Sequence, residues 1–326
     1  METHDLTEVP DLKQRILDLL VQIPKGMVTS YKDIALALGD GAAARAVGTV
    51  MASNQEPEKY PCWRVVYSNG EVGKYSAPGG REEKITRMKR EGIEVENGRI
   101  KNFSEVRYNE FEIEAPLPRL RRIQNYLKGL AEEERLDSQE SVAGVDVSYG
   151  KNGIAGAYVE MEVSGEEIRY RETISEERVK FPYIPGYLAF RELPILRRLL
   201  ERVRGERPWA DVIFVDGNGL LHPRGAGLAT HLGVVLDHPT IGVAKNLLCG
   251  KTENGELSRG QAREVKLDGE NIGLELKTTE RANPIYVSIG NRVSLEEAGD
   301  LTRRISTYKL PEPLRQAHKI AKSEAT

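Results

Sequence analysis

At 326 residues the chain is long enough for two domains, each able to bury a core, and its 30% charged and 39% hydrophobic residues describe an ordinary globular protein. A net charge of −3 argues against a bulk polyanion binder but leaves room for a local basic face. Two cysteines exclude a disulfide framework, METHDLTEVP is no cationic and apolar leader, and no apolar run is long enough to span a membrane. A reducing, cytoplasmic setting is therefore expected.

Residues 11–22 (DLKQRILDLLVQ) carry apolar positions at helical spacing, and Pro24 and Gly26 end that helix. TSYKDIALALG starts a second helix on a Ser30 cap and stops it at Gly39; AAARAVGTVMAS supplies a third within a few residues. Two short helices on a tight turn outline a helix-turn-helix. WRVVYSNGEVG reads as a hairpin on Asn69-Gly70, and REEKITRMKREG as a helix from about Gly80 to Arg90 with a solvated, charge-paired face. Helices with a hairpin resemble a winged helix-turn-helix. Periodicity then fades, and EAPLPRL has two prolines in three residues, so a joint is expected there. The expected division is a winged-helix domain over 1–107, a linker over 108–118 and a second domain over 119–326.

Beyond the joint the pattern becomes α/β. SVAGVDVSYG, IAGAYVEMEV and EIRYRETI read as successive strands, a helix spans roughly Leu188 to Arg204, and DVIFVDG and TIGVAK are short apolar runs suited to buried strands. Asp146 interrupts one apolar strand and Asp216 ends another. A buried carboxylate is costly unless something cationic or hydrogen-bonding meets it. Neighbouring strands in an α/β sheet bring such acids together at their carboxyl ends, and Glu192 stands near the start of the following helix. Three carboxylates without a cysteine or histidine cage suit a hard cation, Mg²⁺ with Mn²⁺ able to substitute, and such ions serve phosphodiester cleavage. His222 adds an acid/base group and Lys245 a fixed positive charge. His231 and His238 have no comparable context and are expected on a helix surface or in a loop.

GVDVSY, PYIPGYLAFRE, VDGNGLLHPRGAGLATHLG and IGVAKNLLCG, in this order, resemble the signature blocks of endonuclease V over roughly residues 116–322. The resemblance implies a ribonuclease H-like fold with a mixed central sheet, and cleavage of DNA one phosphodiester to the 3′ side beyond deoxyinosine. Inosine-containing RNA is the alternative substrate. By position it implies Asp146, Glu192 and Asp216 as metal ligands, with His222 and Lys245 as supporting groups. Pro182, Tyr183, Ile184 and Pro185 then form a wedge that fills the gap left by a rotated base; stiff apolar groups suit that task. Gly217, Gly219 and Gly227 are expected to let the backbone approach the flipped base. One departure is Asn291, at a place where the family commonly has a histidine or an acid.

IPKGMVTSYKDIA, ARAVGTVMASN, PCWRVVYSNGEVGKYS and KREGI resemble the DNA-binding, active-site domain of alkylguanine–DNA alkyltransferases and their alkyltransferase-like relatives. The resemblance implies that Arg45 intercalates, Tyr31 rotates the phosphate, Asn54 is a hinge and Glu91 is the acid of a proton relay. Arg64 is expected at the DNA, and Trp63, Tyr75 and Glu91 around the base. In active members a histidine follows the cysteine; here Trp63 follows Cys62, and an indole has a donor but no basic site. A thiol is mostly protonated at neutral pH unless assisted. Three readings stay open: Cys62 accepts an alkyl group, the domain only binds alkylated guanine, or Cys62 is an inert apolar filler. No second ligand at a usual spacing supports a metal at Cys62. The partners expected are damaged DNA and no membrane.

Overall fold

A computed structural model describes residues 6–151, 153–165 and 167–326. Its contacts divide the chain into two compact units. One holds residues 10–120 with 180–185; the other holds 1–9, 121–179 and 186–326.

The first unit is helical. Helix α1 (Leu12–Val21) is capped by Asp11, whose carboxylate accepts from Gln14 N, and turns Leu12, Ile16, Leu19 and Leu20 inward. Strand β1 (Thr29–Ser30) leads into α2 (Tyr31–Ala37) through a capping box: Ser30 Oγ accepts from Asp33 N at 3.0 Å, and Asp33 accepts from Ser30 N at 3.2 Å. Helix α3 (Ala44–Ala52) follows a 3₁₀ turn, and β2 (Val65–Val66) pairs in parallel with β1. The expected hairpin is only a turn. Gly70 N donates to Tyr67 O and Tyr67 N to Glu71 O, but the arm beyond turns away to residues 98–100, where Val72 N donates to Gly98 O, Ile100 N donates to Gly70 O, and Glu71 bridges Arg99. The ladder lies later, between β3 (Val95–Glu96) and β4 (Arg99–Ile100), after α4 (Gly80–Arg90). Helix α5 (Pro116–Lys128) begins in this unit and from residue 121 belongs to the other.

The second unit is built on an eight-stranded mixed sheet. Its strands are β5 (Ser141–Gly150), β6 (Gly153–Glu162), β7 (Ile168–Glu176), β8 (Val212–Asp216), β9 (Thr240–Ala244), β10 (Ala262–Leu267), β11 (Glu270–Leu276) and β12 (Ile285–Asn291). Their order is β10-β11-β12-β9-β8-β5-β6-β7, with β5, β8 and β9 parallel. Helices α6 (Leu188–Glu206) and α7 (Leu228–Leu236) share one core with β5, β6 and β8 through Tyr158, Leu196, Ile213 and Leu232. Helix α8 (Leu295–Arg304) shares a second with β9 and β12. Helix α9 (Glu312–Ala325) lies against β5 and β6. A Cβ at Gly144 would stand 2.3 Å from Leu314 N, so only glycine admits α9 so near that strand. Among the described residues no helix is long and apolar enough to cross a membrane.

Candidate functional site

The acid cluster follows from strand register. β5 and β8 are parallel neighbours with Val145 opposite Val215, so the next residue on each strand, Asp146 and Asp216, brings two carboxylates side by side. Glu192 approaches from the second turn of α6, buried like Asp146 and near enough to feel the charges of both aspartates, but outside the group of ligand atoms that lie within 4.8 Å of one another. Burial first, and the charge of Asp216 second, push the Asp146 carboxyl up to about 6. Burial, with the charges of Asp146 and Asp216, pushes Glu192 up to about 8 even though Tyr149 donates to its Oε1 at 3.0 Å. This is unmet negative charge, and a cation would relieve it.

The fourth member is His318, which sequence reasoning did not select. Its Nδ1–H donates to Asp146 Oδ2 at 2.6 Å, and one ligand atom each from Asp146, Asp216 and His318 lie within 4.8 Å of one another. Nothing local distinguishes His318 in EPLRQAHKIAK; the close seating of α9 at Gly144 carries it there. Lys245 does meet an acid: its Nζ donates to Asp216 Oδ2 at 2.7 Å. Oxygen donors with one imidazole nitrogen suit a divalent metal.

Asn291 corrects an expectation. It pairs with Thr240, at the start of β9, whereas Asp216 pairs with Val243, so Asn291 lies at the other end of these strands, roughly 10 Å along at about 3.3 Å per residue. Its amide is spent on structure, donating to Gly233 O and accepting from Glu132 N. The histidine that does meet the acids is His318, on α9. His231 is a second correction. It is fully buried rather than on a helix surface, with Nε2 on Leu6 O at 2.7 Å and Phe190 edge-on. His238 is half-buried, with Nε2 on Ala210 O.

His222 is buried, and burial together with the Arg224 charge pushes it down to about 4. Its Nδ1 accepts from Arg224 N at 3.1 Å, so the ring proton sits on Nε2 and is donated to Gly186 O at 3.2 Å. Gln124 Nε2 and Arg224 Nη2 donate to the same carbonyl. His222, expected as an acid/base group, holds the Gly186 carbonyl as a neutral ring. In the wedge, Pro182 and Ile184 are buried while Tyr183 is 54% exposed and Pro185 is exposed. The three glycines answer to internal packing. A Cβ at Gly219 would lie 1.9 Å from Ile289 O, at Gly227 2.1 Å from Asn218 O, and at Gly217 3.2 Å from Leu228 Cβ.

In the first unit Cys62 starts a 3₁₀ turn and lines a cleft of 1220 Å³ with Tyr31, Arg45, Tyr67, Tyr75 and Lys84. Asn54 Nδ2 donates to Tyr60 O at 2.9 Å and to Cys62 Sγ at 3.1 Å, closing the loop between them. Burial pushes the thiol up, opposed by Asn54 and by the Lys84 charge. Lys84 is 1% exposed, and its Nζ donates to Val65 O at 2.6 Å. Burial pushes it down to about 8. The Tyr75 hydroxyl is buried without a hydrogen-bond partner among the described residues, and burial pushes it up to about 12.

Trp63 and Glu91 stand apart from this lining. Trp63 is buried in a core with Val28, Val66 and Met88, and its Nε1–H donates to Glu91 Oε1 at 3.0 Å. Arg64 grips the same carboxylate with Nε at 2.8 Å and Nη2 at 2.8 Å, and donates from Nη1 to Ile23 O. Burial would raise Glu91, but these bonds outweigh it and hold the carboxyl below its usual range. Glu91, expected as the acid of a relay, is one end of a clamp, and Trp63 and Arg64 belong to that clamp rather than to the pocket lining.

A family model for Endonuclease V matches residues 124–319, and one for the 6-O-methylguanine DNA methyltransferase DNA-binding domain matches residues 11–93. A Picrophilus torridus protein named bifunctional methyltransferase/endonuclease is 40% identical, over 94% of this chain and 95% of its own length. The catalytic domain of human endonuclease V superposes with a TM-score of 0.61 at 33% identity, covering 65% of this chain and 97% of that one. Endonuclease V of Ciona intestinalis, solved with a DNA containing an inosine followed by a ribo-adenosine, superposes at 0.58 with 26% identity, covering 65% and 98%. The chain therefore belongs to the endonuclease V family, a metal-dependent nuclease joined to an alkyltransferase-type DNA-binding domain in one bifunctional DNA-repair protein.

Proposed function

We propose that the second domain is a Mg²⁺-dependent endonuclease that cuts DNA at the second phosphodiester on the 3′ side of deoxyinosine, leaving a 3′-hydroxyl and a 5′-phosphate. The carrying observation is the register that sets Asp146 beside Asp216, with a His318 ligand atom within 4.8 Å of both and Glu192 near enough for their charges to act on its carboxyl. Asp146, Glu192 and Asp216 would hold the ion; the pushed-up carboxyls of Asp146 and Glu192 are the sign of a site that lacks positive charge. Bound there, Mg²⁺, or Mn²⁺ in its place, supplies Lewis-acid stabilisation of the charge that builds on the phosphoryl oxygens. Lys245 keeps a second positive charge against Asp216, and His318 keeps its Nδ1 proton on Asp146. The exposed ring of Tyr183, backed by buried Pro182 and Ile184 and followed by Pro185, is suited to fill a duplex from which a base has rotated. The inosine-containing DNA in the Ciona relative supports the substrate class. Inosine RNA is the rival, separated by cleavage of matched deoxyinosine and riboinosine strands.

The first domain, 1–107 with a linker over 108–118 before the nuclease at 119–326, is read as a module that flips and binds O-alkylated guanine. Tyr31 and Arg45 on the cleft would turn and replace the nucleotide, and Asn54 would hinge the loop that carries Cys62. In transfer, Cys62 Sγ bonds the alkyl carbon as the carbon–O6 bond breaks, and the thiol proton ends on the guanine. Asn54 and Lys84 are the groups that favour the thiolate. The clamped Glu91 favours the rival reading, recognition without transfer. Reduced Cys62 and Cys249 suit the cytoplasm.

Nicking of a deoxyinosine oligonucleotide in Mg²⁺ by wild type and Asp146→Ala tests the nuclease. Equal cutting by both sinks the metal assignment, and no cutting by either sinks the activity. Intact mass after incubation with O6-methylguanine DNA tests the first domain. A methyl on Cys62 supports transfer, and tight binding without added mass supports recognition.

A further inference from the structure

We infer that Tyr149 is a positioning residue for the acid site, its hydroxyl holding the Glu192 carboxylate in the orientation that serves a divalent cation. This rests on the reading of the cluster as a metal site. Asp146 and Tyr149 share β5, three residues apart, whereas Glu192 comes from α6 on a side chain with three rotatable bonds. Something must link the two elements if Glu192 is to stay in register with Asp146. Tyr149 does so at two points. Its O–H donates to Glu192 Oε1 at 3.0 Å, and the Arg191 guanidinium lies 4.1 Å from its ring centroid. Consecutive residues of α6 thus grip one phenol, Arg191 at its ring and Glu192 at its hydroxyl. That fixes where the O–H points.

Core packing does not account for this tyrosine. It is 39% exposed and belongs to none of the three hydrophobic clusters of its unit, so burial gives little reason for a large aromatic there. Outer partners that orient a ligand carboxylate govern metal affinity as the ligands do, by about 10- to 100-fold when removed.

The test is Mn²⁺ titration of the full chain by calorimetry, with Tyr149→Phe and Tyr149→Leu. Tyr149→Phe is expected to bind Mn²⁺ about tenfold more weakly with unchanged thermal unfolding, and to nick a deoxyinosine oligonucleotide near the wild-type rate once metal is saturating. Tyr149→Leu losing no more than Tyr149→Phe assigns the effect to the hydroxyl. Tyr149→Phe binding within about twofold of wild type overturns the inference, whether or not Tyr149→Leu is weakened. Asp146→Ala, measured alongside, separates the failures: if it binds Mn²⁺ as wild type does, the metal reading itself falls and the inference with it.

Discussion

The two units solve opposite electrostatic problems. Around Asp146 the chain gathers negative charge that its own cations do not balance, and burial leaves Asp146 and Glu192 reluctant to ionise. Around Cys62 it gathers positive charge and donors, with Lys84, Arg87 and Asn54 facing a thiol that burial holds protonated. The first site is completed by something positive from outside; the second must find its activation within. Where a proton relay is expected, Trp63 and Arg64 have instead engaged Glu91 in a clamp. One cluster lacks a balancing cation, while the other has its nearby acid held in a clamp.

The sharpest way to break this contrast is Asp216→Asn. It removes a ligand carboxylate and the partner of Lys245, and nicking should fall by about 10³-fold, in line with the several kcal/mol a catalytic metal supplies. A loss below tenfold would mean Asp216 is not in the site. Glu91→Ala comes next. Leaving Arg64 half-enclosed without its carboxylate should cost about 4 kcal/mol in denaturant unfolding while leaving the rate of any methyl transfer to Cys62 unchanged. A transfer rate that falls with stability intact would return Glu91 to a relay.

Lys84 sharpens the comparison through pH. Its folded pKa is depressed from 10.5 to about 8, so between those values the unfolded chain holds the extra proton. Stability should then rise with pH across that window, by roughly 3 kcal/mol in total, and the burial penalty is undiminished below pH 8. Urea unfolding of wild type against Lys84→Met at pH 7.5 and pH 10 checks the sign; parallel slopes would show that Lys84 does not titrate there. The smallest effect is expected at Tyr183→Ala. Nicking of duplex deoxyinosine DNA should fall about tenfold with stability changed by less than about 0.5 kcal/mol, because the ring is exposed. An equal loss on single-stranded substrate would refute a wedge.

Local chemistry carried most of the elements. The Ser30 capping box, the helix starting at Gly80, and the apolar runs of β5, β8 and β9 were all legible, because each depends on residues a few positions apart. Asp146 and Asp216 were legible as candidates for the same reason: a carboxylate in an apolar strand demands an explanation wherever the strand goes. His318 was not, since its pattern is that of any histidine on an amphipathic helix. Asn291 was misplaced by the same limit, because nothing within its strand says which end of the sheet it occupies. Lys84 read as one more charge on a solvated face.

By itself, then, the sequence determined the two-part plan, the helical and strand periodicities, and the acids that any buried site would have to satisfy. Tertiary structure alone decided three things: that α9 reaches Asp146 with His318, that Trp63 and Arg64 take Glu91 out of the cleft, and that His231 and Lys84 lie inside. The physical reason is that these depend on parallel register and on close helix-to-strand approach at Gly144 or between loops far apart in sequence. No pattern within one element encodes them.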